Sequence, residues 1–194
     1  MQEKLTPAQL KAGRENEQLR EVQQGRRMSL IITPEQRTDG RDEWATPDDV
    51  KDGICDRWSL KPQVDVFASK ENAKCPLYIT KEMDSFKIDW VEFANAHGVD
   101  PIFWLQPPYS QPILTMAIER SILMAQKGGI SLFLLPAWTD RSWYLNLINQ
   151  RFLHEFWRDP NLKDGQQTHR IKFIPKGSIK PSSPRDGSIH GVIR

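Results

Sequence analysis

The apolar positions of this chain follow strand-like and helix-like spacings in turn from residue 41 onward. Short apolar runs predict strands, and apolar residues three or four positions apart predict amphipathic helices between them. The run at 130–135 is continuous, as in a strand of a parallel sheet that is covered on both faces. The predicted strands are Val64–Ala68, Pro101–Leu105, Ile130–Leu135, His169–Ile174 and Ile189–Ile193, and the predicted helices are Ile113–Lys127, Ser142–Phe152 and one that begins at Thr46.

The helix that begins at Thr46 has a clear start signal. Thr46 is predicted to be the N-cap and Pro47 the first helical residue, and Asp48 and Asp49 place carboxylates in the first turn. Strand, helix and strand then alternate over residues 60–152. This order predicts an α/β fold, with a mostly parallel sheet and helices on both of its faces.

Residues 1–40 differ from the rest of the chain because they are polar, with few aliphatic side chains and with interleaved acidic and basic residues. This pattern is typical of a solvated helix. We predict a partly helical arm and linker over residues 1–40 and one domain over residues 41–194. The arm is either loosely attached or used to bind a partner or a second copy of the chain.

Composition excludes several classes of protein. Two cysteines in 194 residues are too few for a disulfide framework or a four-cysteine zinc site, and the four histidines lack zinc-ligand spacing. The longest apolar run is far shorter than the roughly 20 residues of a bilayer span. The N-terminus lacks the apolar segment of a signal peptide. The sequence therefore predicts a cytoplasmic protein that needs no metal and no membrane.

Charge is distributed unevenly along the chain. The net charge is only +2, but residues 41–140 carry 10 basic and 15 acidic side chains, whereas residues 141–194 carry 10 basic and 4 acidic ones. This asymmetry indicates two chemical roles, and the basic end favours a nucleic acid as partner. Random variation on a solvated surface is the alternative explanation.

In doubly wound sheets, ligands bind beyond the carboxyl ends of the strands, near the point where the strand order reverses. This rule singles out the loops after Ala68 and Leu105. In the first loop, Asp65 and the small residues after it suit a nucleoside cofactor that approaches the backbone, although a short buried strand explains them as well. Asp89 is another candidate carboxylate for ribose hydroxyls, but beside Trp90 it also fits a surface acid next to a core tryptophan.

The second loop reads Gln106, Pro107, Pro108 and Tyr109. Two consecutive prolines stiffen a loop and remove two backbone donors. The Gln106 amide oxygen and the Pro107 carbonyl can accept hydrogen bonds from an exocyclic amino group, and the Tyr109 ring can stack on a heterocycle. A proline turn with a packed tyrosine is an equally good explanation of the four residues alone.

Several further short stretches, each weak by itself, occur in a characteristic order around these two loops. They are Asp42–Pro47, Asp65–Ser69, Glu71–Cys75 with Tyr78, Asp89 with Trp90, Pro107–Ser110, Leu135–Ala137, Thr139 with Asp140, Trp143, and Arg170–Phe173.

With these stretches, residues 41–194 resemble the phage-type (Dam-like) DNA adenine-N6 methyltransferases of phages and prophages. The resemblance implies a Rossmann-like methyltransferase fold and transfer of a methyl group from S-adenosylmethionine to N6 of adenine in double-stranded DNA, with the base flipped out of the duplex. It implies a cofactor part over about 41–100 and a DNA-facing part over about 138–194. The implied cofactor-binding residues are Trp44, Thr46, Pro47, Asp65, Ala68, Ser69, Asn72 and Asp89.

The implied catalytic loop is Gln106, Pro107, Pro108 and Tyr109. In the family, the residue before the two prolines is Asp, Asn or Ser. Here, Gln106 keeps an amide but on a side chain one methylene longer. The implied DNA-binding residues are the basic side chains Arg141, Arg158, Lys163, Arg170, Lys172 and Lys176.

Two alternatives stay open at this point. The chain is either an active methyltransferase or a relative with little activity that serves as a nucleic-acid-binding or regulatory protein. Pro-Pro-Tyr loops also serve methyltransferases that act on RNA bases or on glutamine side chains of proteins, so the acceptor is a separate question.

Overall fold

The computed structural model describes residues 45–150, 152–158, 170–174 and 187–194, together with residues 178, 180 and 182. These residues all belong to the unit Thr38–Arg194, and the predicted arm at 1–40 lies outside them. The described helices are α1 (Asp48–Trp58), α2 (Trp90–Ala96), α3 (Ile113–Ala125) and α4 (Ser142–Asn149), and the strands are β1 (Val64–Asp65), β2 (Leu77–Tyr78), β3 (Ile102–Leu105), β4 (Ile130–Pro136), β5 (Leu153–Phe156) and β6 (Ser188–Ile193).

The six described strands form one mixed sheet in the order β2-β1-β3-β4-β6-β5. The first four of these strands are parallel to one another, whereas β6 runs antiparallel to both β4 and β5. The prediction of a parallel sheet therefore holds for four strands. Strand β1 lies between β2 and β3, so the strand order reverses between β1 and β3, and ligand sites of open α/β sheets occur at such a point.

The side chains of β4 divide the core into two layers because successive residues of a strand point to opposite faces. Phe133 and Leu135 belong to one apolar cluster, and Leu132 and Leu134 to the other. Residues of α2, α3 and α4 pack in the first cluster, and residues of α1 pack in the second. Helices thus cover both faces, which explains why the sequence of β4 is apolar without alternation.

The start of α1 differs from the prediction by one residue. The helix begins at Asp48, and Pro47 is its N-cap, without a side-chain hydrogen bond to the first turn. The prediction that Thr46 caps the helix is therefore wrong. The Thr46 hydroxyl donates instead to the side chain of Gln106, 60 positions away.

Three predicted elements differ most from the described structure. Strand β1 ends at Asp65, whose side chain accepts a hydrogen bond from the backbone N–H of Phe67 and so helps the chain to turn. Helix α4 ends at Asn149 and is followed by β5, which the sequence did not predict. Within 170–174, Phe173 and Ile174 form only isolated β-bridges, to Ser182 and to Ala45, so the strand predicted over this segment is wrong for its described residues.

The structure also contains β2 and α2, which the apolar spacing did not predict. Strand β2 has two residues and α2 has seven, too few for a periodic pattern to stand out. A start signal for α2 is nevertheless present, because Asp89 is followed three residues later by Glu92, as in a capping box.

No helix among the described residues is both long and apolar enough to cross a membrane. Within the same part of the chain, no three His, Cys, Asp or Glu side chains are grouped as they would be around a metal ion.

Candidate active site

Three neighbouring parallel strands end at one edge of the sheet and bring the predicted loops together. Asp65 ends β1, Gln106 follows β3, and β4 pairs with β3 as far as Phe133 and continues to Pro136. Asp65 is the register partner of Trp104, two residues before Gln106. The two loops singled out from the sequence therefore lie side by side, at the point where the strand order reverses.

Gln106 contacts the segment that leads into α1. The Thr46 hydroxyl donates a hydrogen bond of 2.6 Å to Oε1 of Gln106. Thr46 is 2% exposed, whereas Gln106 is partly exposed. This contact joins a predicted cofactor residue to the first residue of the predicted catalytic loop, and nothing in the local sequence pattern indicates the pair.

The rest of the loop is held firmly. Pro107 is buried, Pro108 is partly buried, and the Tyr109 hydroxyl donates to the backbone carbonyl of Leu134 on β4 at 3.2 Å. The Tyr109 ring also meets the half-buried ring of Trp138 edge to face, at 72° and 6.5 Å between centroids. The loop thus has a rigid aromatic side chain fixed at its far end.

Asp65 is a buried carboxylate, 3% exposed. Its two oxygens accept hydrogen bonds from the backbone N–H groups of Lys74 at 3.0 Å and of Phe67 at 3.3 Å. Burial raises the pKa of Asp65 to about 6, although these two hydrogen bonds act in the opposite direction. Asp65 therefore fixes the shape of the loop that follows β1.

The other predicted cofactor residues of this loop stabilise the same turn. The Asn72 side chain accepts from the backbone N–H of Ser69 at 2.7 Å, and the Ala68 N–H donates to the carbonyl of Ile79, the residue directly after β2. Ala68, Ser69 and Asn72 are all partly exposed. The loop is thus an ordered turn with small and polar side chains at its surface.

Lys74 is a residue of this region that sequence reasoning had not assigned. Its backbone N–H bonds Asp65, and its ammonium group pairs with the Asp48 carboxylate of α1 at 2.6 Å. The hydrogen bond from Lys74 lowers the pKa of Asp48. The predicted residue Pro47 precedes Asp48 directly, so Lys74 ties the loop after β1 to the start of α1. Nothing in the sequence pattern signals a pair 26 positions apart.

Asp89 lies in a different place from the other candidates. It is the N-cap of α2, where it accepts from the backbone N–H groups of Val91 and Glu92 at 3.1 Å. It also pairs with Lys127, which lies between the end of α3 and the start of β4. Burial alone would raise the pKa of Asp89, but the hydrogen bonds from Lys127 and Glu92 lower it. Its carboxylate thus serves to cap a helix, near the edge of the sheet where β4 begins.

Several aromatic candidates belong to the core. Trp90 is fully buried and donates from its indole nitrogen to the carbonyl of Ser85 at 2.8 Å. Phe103 and Trp104 are also fully buried, on opposite faces of β3. Both side chains therefore pack in the core and do not face the loop after β3 from its surface. Trp138, which is only partly buried, contacts the Tyr109 ring.

The remaining predicted residues divide between described and undescribed segments. Arg141, Arg158, Arg170 and Lys172 are exposed. Arg141 is the N-cap of α4, which follows the carboxyl end of β4. Trp44, Lys163 and Lys176 lie outside the described residues.

Comparison with known families shows which family the chain belongs to. A model of the family described as DNA N-6-adenine-methyltransferase (Dam) matches residues 33–191. The match covers most of the chain, so the protein belongs to this family, and the resemblance inferred from the short stretches is confirmed. No curated protein and no solved structure matches the chain significantly.

Proposed function

We propose that this protein transfers a methyl group from S-adenosylmethionine to the exocyclic N6 of adenine in double-stranded DNA. Membership of the adenine methyltransferase family supports the reaction class. The observation that carries the residue assignment is the position of the Gln-Pro-Pro-Tyr loop, at the carboxyl end of β3 and beside the ordered turn after β1. That position is where a doubly wound, Rossmann-like sheet binds its ligands.

The turn after β1 is the proposed cofactor site. Its backbone is fixed by Asp65 and Asn72, and its small side chains, Ala68 and Ser69, allow a nucleoside to approach closely. Thr46 and Pro47 border the site from the start of α1, and Trp44 is proposed with them from the family motif. S-adenosylmethionine supplies a sulfonium-bound methyl group to the reaction. We leave Asp89 out of this site because its carboxylate already caps α2 and pairs with Lys127.

The loop after β3 is the proposed site of the target base. The base leaves the duplex, at a cost of a few kcal/mol that contacts in the pocket offset. The Gln106 amide oxygen and the Pro107 carbonyl accept hydrogen bonds from the adenine amino group, and the Tyr109 ring stacks on the base. In this arrangement N6 would form a bond to the methyl carbon as the bond from that carbon to sulfur breaks, and the proton that N6 loses would pass to water. Orientation of the amine by these groups accounts for catalysis without a residue that acts as base.

The test is methylation of unmethylated duplex DNA with labelled S-adenosylmethionine, followed by analysis of the nucleosides. We expect N6-methyladenine with the wild type. Gln106→Ala should reduce the rate about a hundredfold, the size of effect that a misplaced reactant produces. Cofactor affinity should stay unchanged, since Gln106 contacts the base.

Gln126→Ala is the matched control, because Gln126 is an exposed glutamine at the other end of α3, beyond the proposed site. It should methylate DNA at the wild-type rate. Wild-type protein that binds the cofactor yet gives no N6-methyladenine on any DNA would contradict the proposal. Methylated RNA or protein in its place would move the acceptor to that class.

A further inference from the structure

Thr46 occupies an unusual position for a threonine that precedes a helix. Its hydroxyl does not cap α1, whose N-cap is Pro47 without a side-chain hydrogen bond. The Thr46 side chain is instead buried, and it donates to Oε1 of Gln106 at 2.6 Å across a separation of 60 residues. This contact is at the short end of the range for a hydroxyl donor, so the two groups are closely held.

The contact bears on how the amide of Gln106 is oriented in this loop. A glutamine side chain has one more rotatable bond than asparagine, so its amide has more orientations available. Its two ends also differ, because the oxygen accepts hydrogen bonds and the nitrogen donates them. Only the oxygen end can accept a hydrogen bond from an adenine amino group. A fixed donor on one side of the amide would select the useful orientation.

We propose that Thr46 is a positioning residue that holds the amide oxygen of Gln106 for the target amine. An amide oxygen has two lone pairs. The Thr46 hydroxyl occupies one of them and leaves the other to accept from N6 of the base. Thr46 thus compensates for the extra methylene of Gln106 and acts on the reaction through that side chain. This inference rests on the proposed function.

The test compares Thr46→Val, which removes the hydroxyl at nearly constant shape, with Thr46→Ser, which keeps it. We expect Thr46→Val to lower the single-turnover rate of methylation about tenfold to a hundredfold, in keeping with the cost of losing alignment at a reacting centre. Affinity for DNA should change less than twofold, and affinity for the cofactor should change much less than the rate, although Thr46 borders the cofactor site. Thr46→Ser should stay within about threefold of the wild-type rate, because it restores the donor.

Thr115→Val is a matched control, since Thr115 of α3 donates at 2.8 Å to the amide oxygen of the exposed Gln111, which precedes the helix. It removes the same kind of hydrogen bond at another place and should leave the rate unchanged. A double-mutant cycle with Gln106→Ala separates positioning from general structural damage. If Thr46 acts through Gln106, Thr46→Val should have no further effect when residue 106 is already alanine.

Two results would overturn the inference while the wild type is active. One is a wild-type rate for Thr46→Val. The other is an equal loss from Thr46→Val in the presence and absence of Gln106, with weaker cofactor binding, which would make Thr46 a cofactor contact. An inactive wild type would overturn the proposed function together with this inference, so the two failures are distinguishable.

Discussion

At the scale of single residues, the site depends on side chains whose surroundings change their chemistry. Asp65 is the clearest case, because a carboxylate at the end of a buried strand has lost most of its water. Two backbone N–H groups compensate in part, but burial is the larger effect, and the pKa rises to about 6. The contribution of Asp65 to the free energy of unfolding should therefore depend on pH between its ordinary pKa of 3.8 and about 6.

The first prediction concerns this pH dependence of stability. The folded state raises the pKa of Asp65 above its ordinary value of 3.8, so it favours the protonated carboxyl. The resulting stabilisation is complete below pH 3.8 and is lost as the pH rises through about 6. The loss amounts to at most about 3 kcal/mol in the free energy of unfolding, at roughly 1.4 kcal/mol for each pKa unit.

Urea unfolding of the wild type and of Asp65→Asn, from pH 4 to pH 7, measures this effect. Asparagine stays neutral, so the difference in stability between the two proteins should change in favour of the variant as the pH rises. Other carboxylates titrate in both proteins and cancel in the difference. A difference that stays constant over this range would show that the pKa of Asp65 is not raised.

The place of a single residue in the fold could be predicted from the sequence where that residue directly follows the end of a strand. The position of Gln106 could be foreseen because a short apolar strand ends directly before it and two prolines follow. The bond between Thr46 and Gln106 could not, because local pattern gives no information on partners 60 positions apart. Local pattern in fact favoured a wrong role for Thr46, since a threonine before Pro-Asp-Asp is a typical N-cap.

At the scale of secondary-structure elements, length decides what the sequence reveals. Helix α3 and strand β4 have 13 and 7 residues, enough for their spacing to be recognised. Strand β5 has four residues, two of them apolar and exposed, because it lies at the edge of the sheet. The sequence predicted a helix as far as Phe152, the residue before β5, and no strand after it. Pairing with β6 decides the outcome in the folded chain.

The second prediction concerns the contact between β5 and β6. Gly191 on β6 lies so close to β5 that a Cβ atom would meet the Leu153 carbonyl and approach the His154 Cα atom to 2.7 Å. Backbone atoms cannot move aside as a side-chain end can. Gly191→Ala should therefore lower the free energy of unfolding by about 1–3 kcal/mol, as overpacking of a core does. Urea denaturation measures this change.

Gly53→Ala provides the contrasting variant for this measurement. Gly53 lies inside α1, is exposed, and has open space where its Cβ atom would be. Alanine is favoured over glycine in a helix by about 1 kcal/mol, so this variant should stabilise the protein. Equal stability of the two glycine variants would mean that β5 is not packed against β6 as described.

At the scale of the whole molecule, acidic and basic side chains are concentrated in different parts of the chain. The acidic excess lies in residues 41–140, which contain both loops of the proposed site, and the basic excess lies in residues 141–194. Arg141, Arg158, Arg170 and Lys172 are exposed members of the basic part. Basic side chains that contact DNA phosphates position a protein on the duplex but do not distinguish one base sequence from another. We therefore propose that the basic part holds the duplex while the loop after β3 receives the base.

The last prediction follows from counterion release. Each phosphate that a basic side chain neutralises contributes about 0.9 to the slope of log affinity against log salt concentration. Replacing both Arg170 and Lys172 by glutamine should therefore weaken binding to any duplex to a similar extent and reduce the slope by about 2. Fluorescence anisotropy with a labelled duplex at several salt concentrations measures both quantities.

Lys61→Gln is the control, since Lys61 is exposed and lies between α1 and the start of β1. It is therefore near the amino end of β1, whereas the proposed site is at the carboxyl end. An unchanged slope for the double variant would remove residues 170 and 172 from the DNA interface. A reduction of about half that size with Lys61→Gln, which removes one charge instead of two, would show that total charge, and not its position, controls binding.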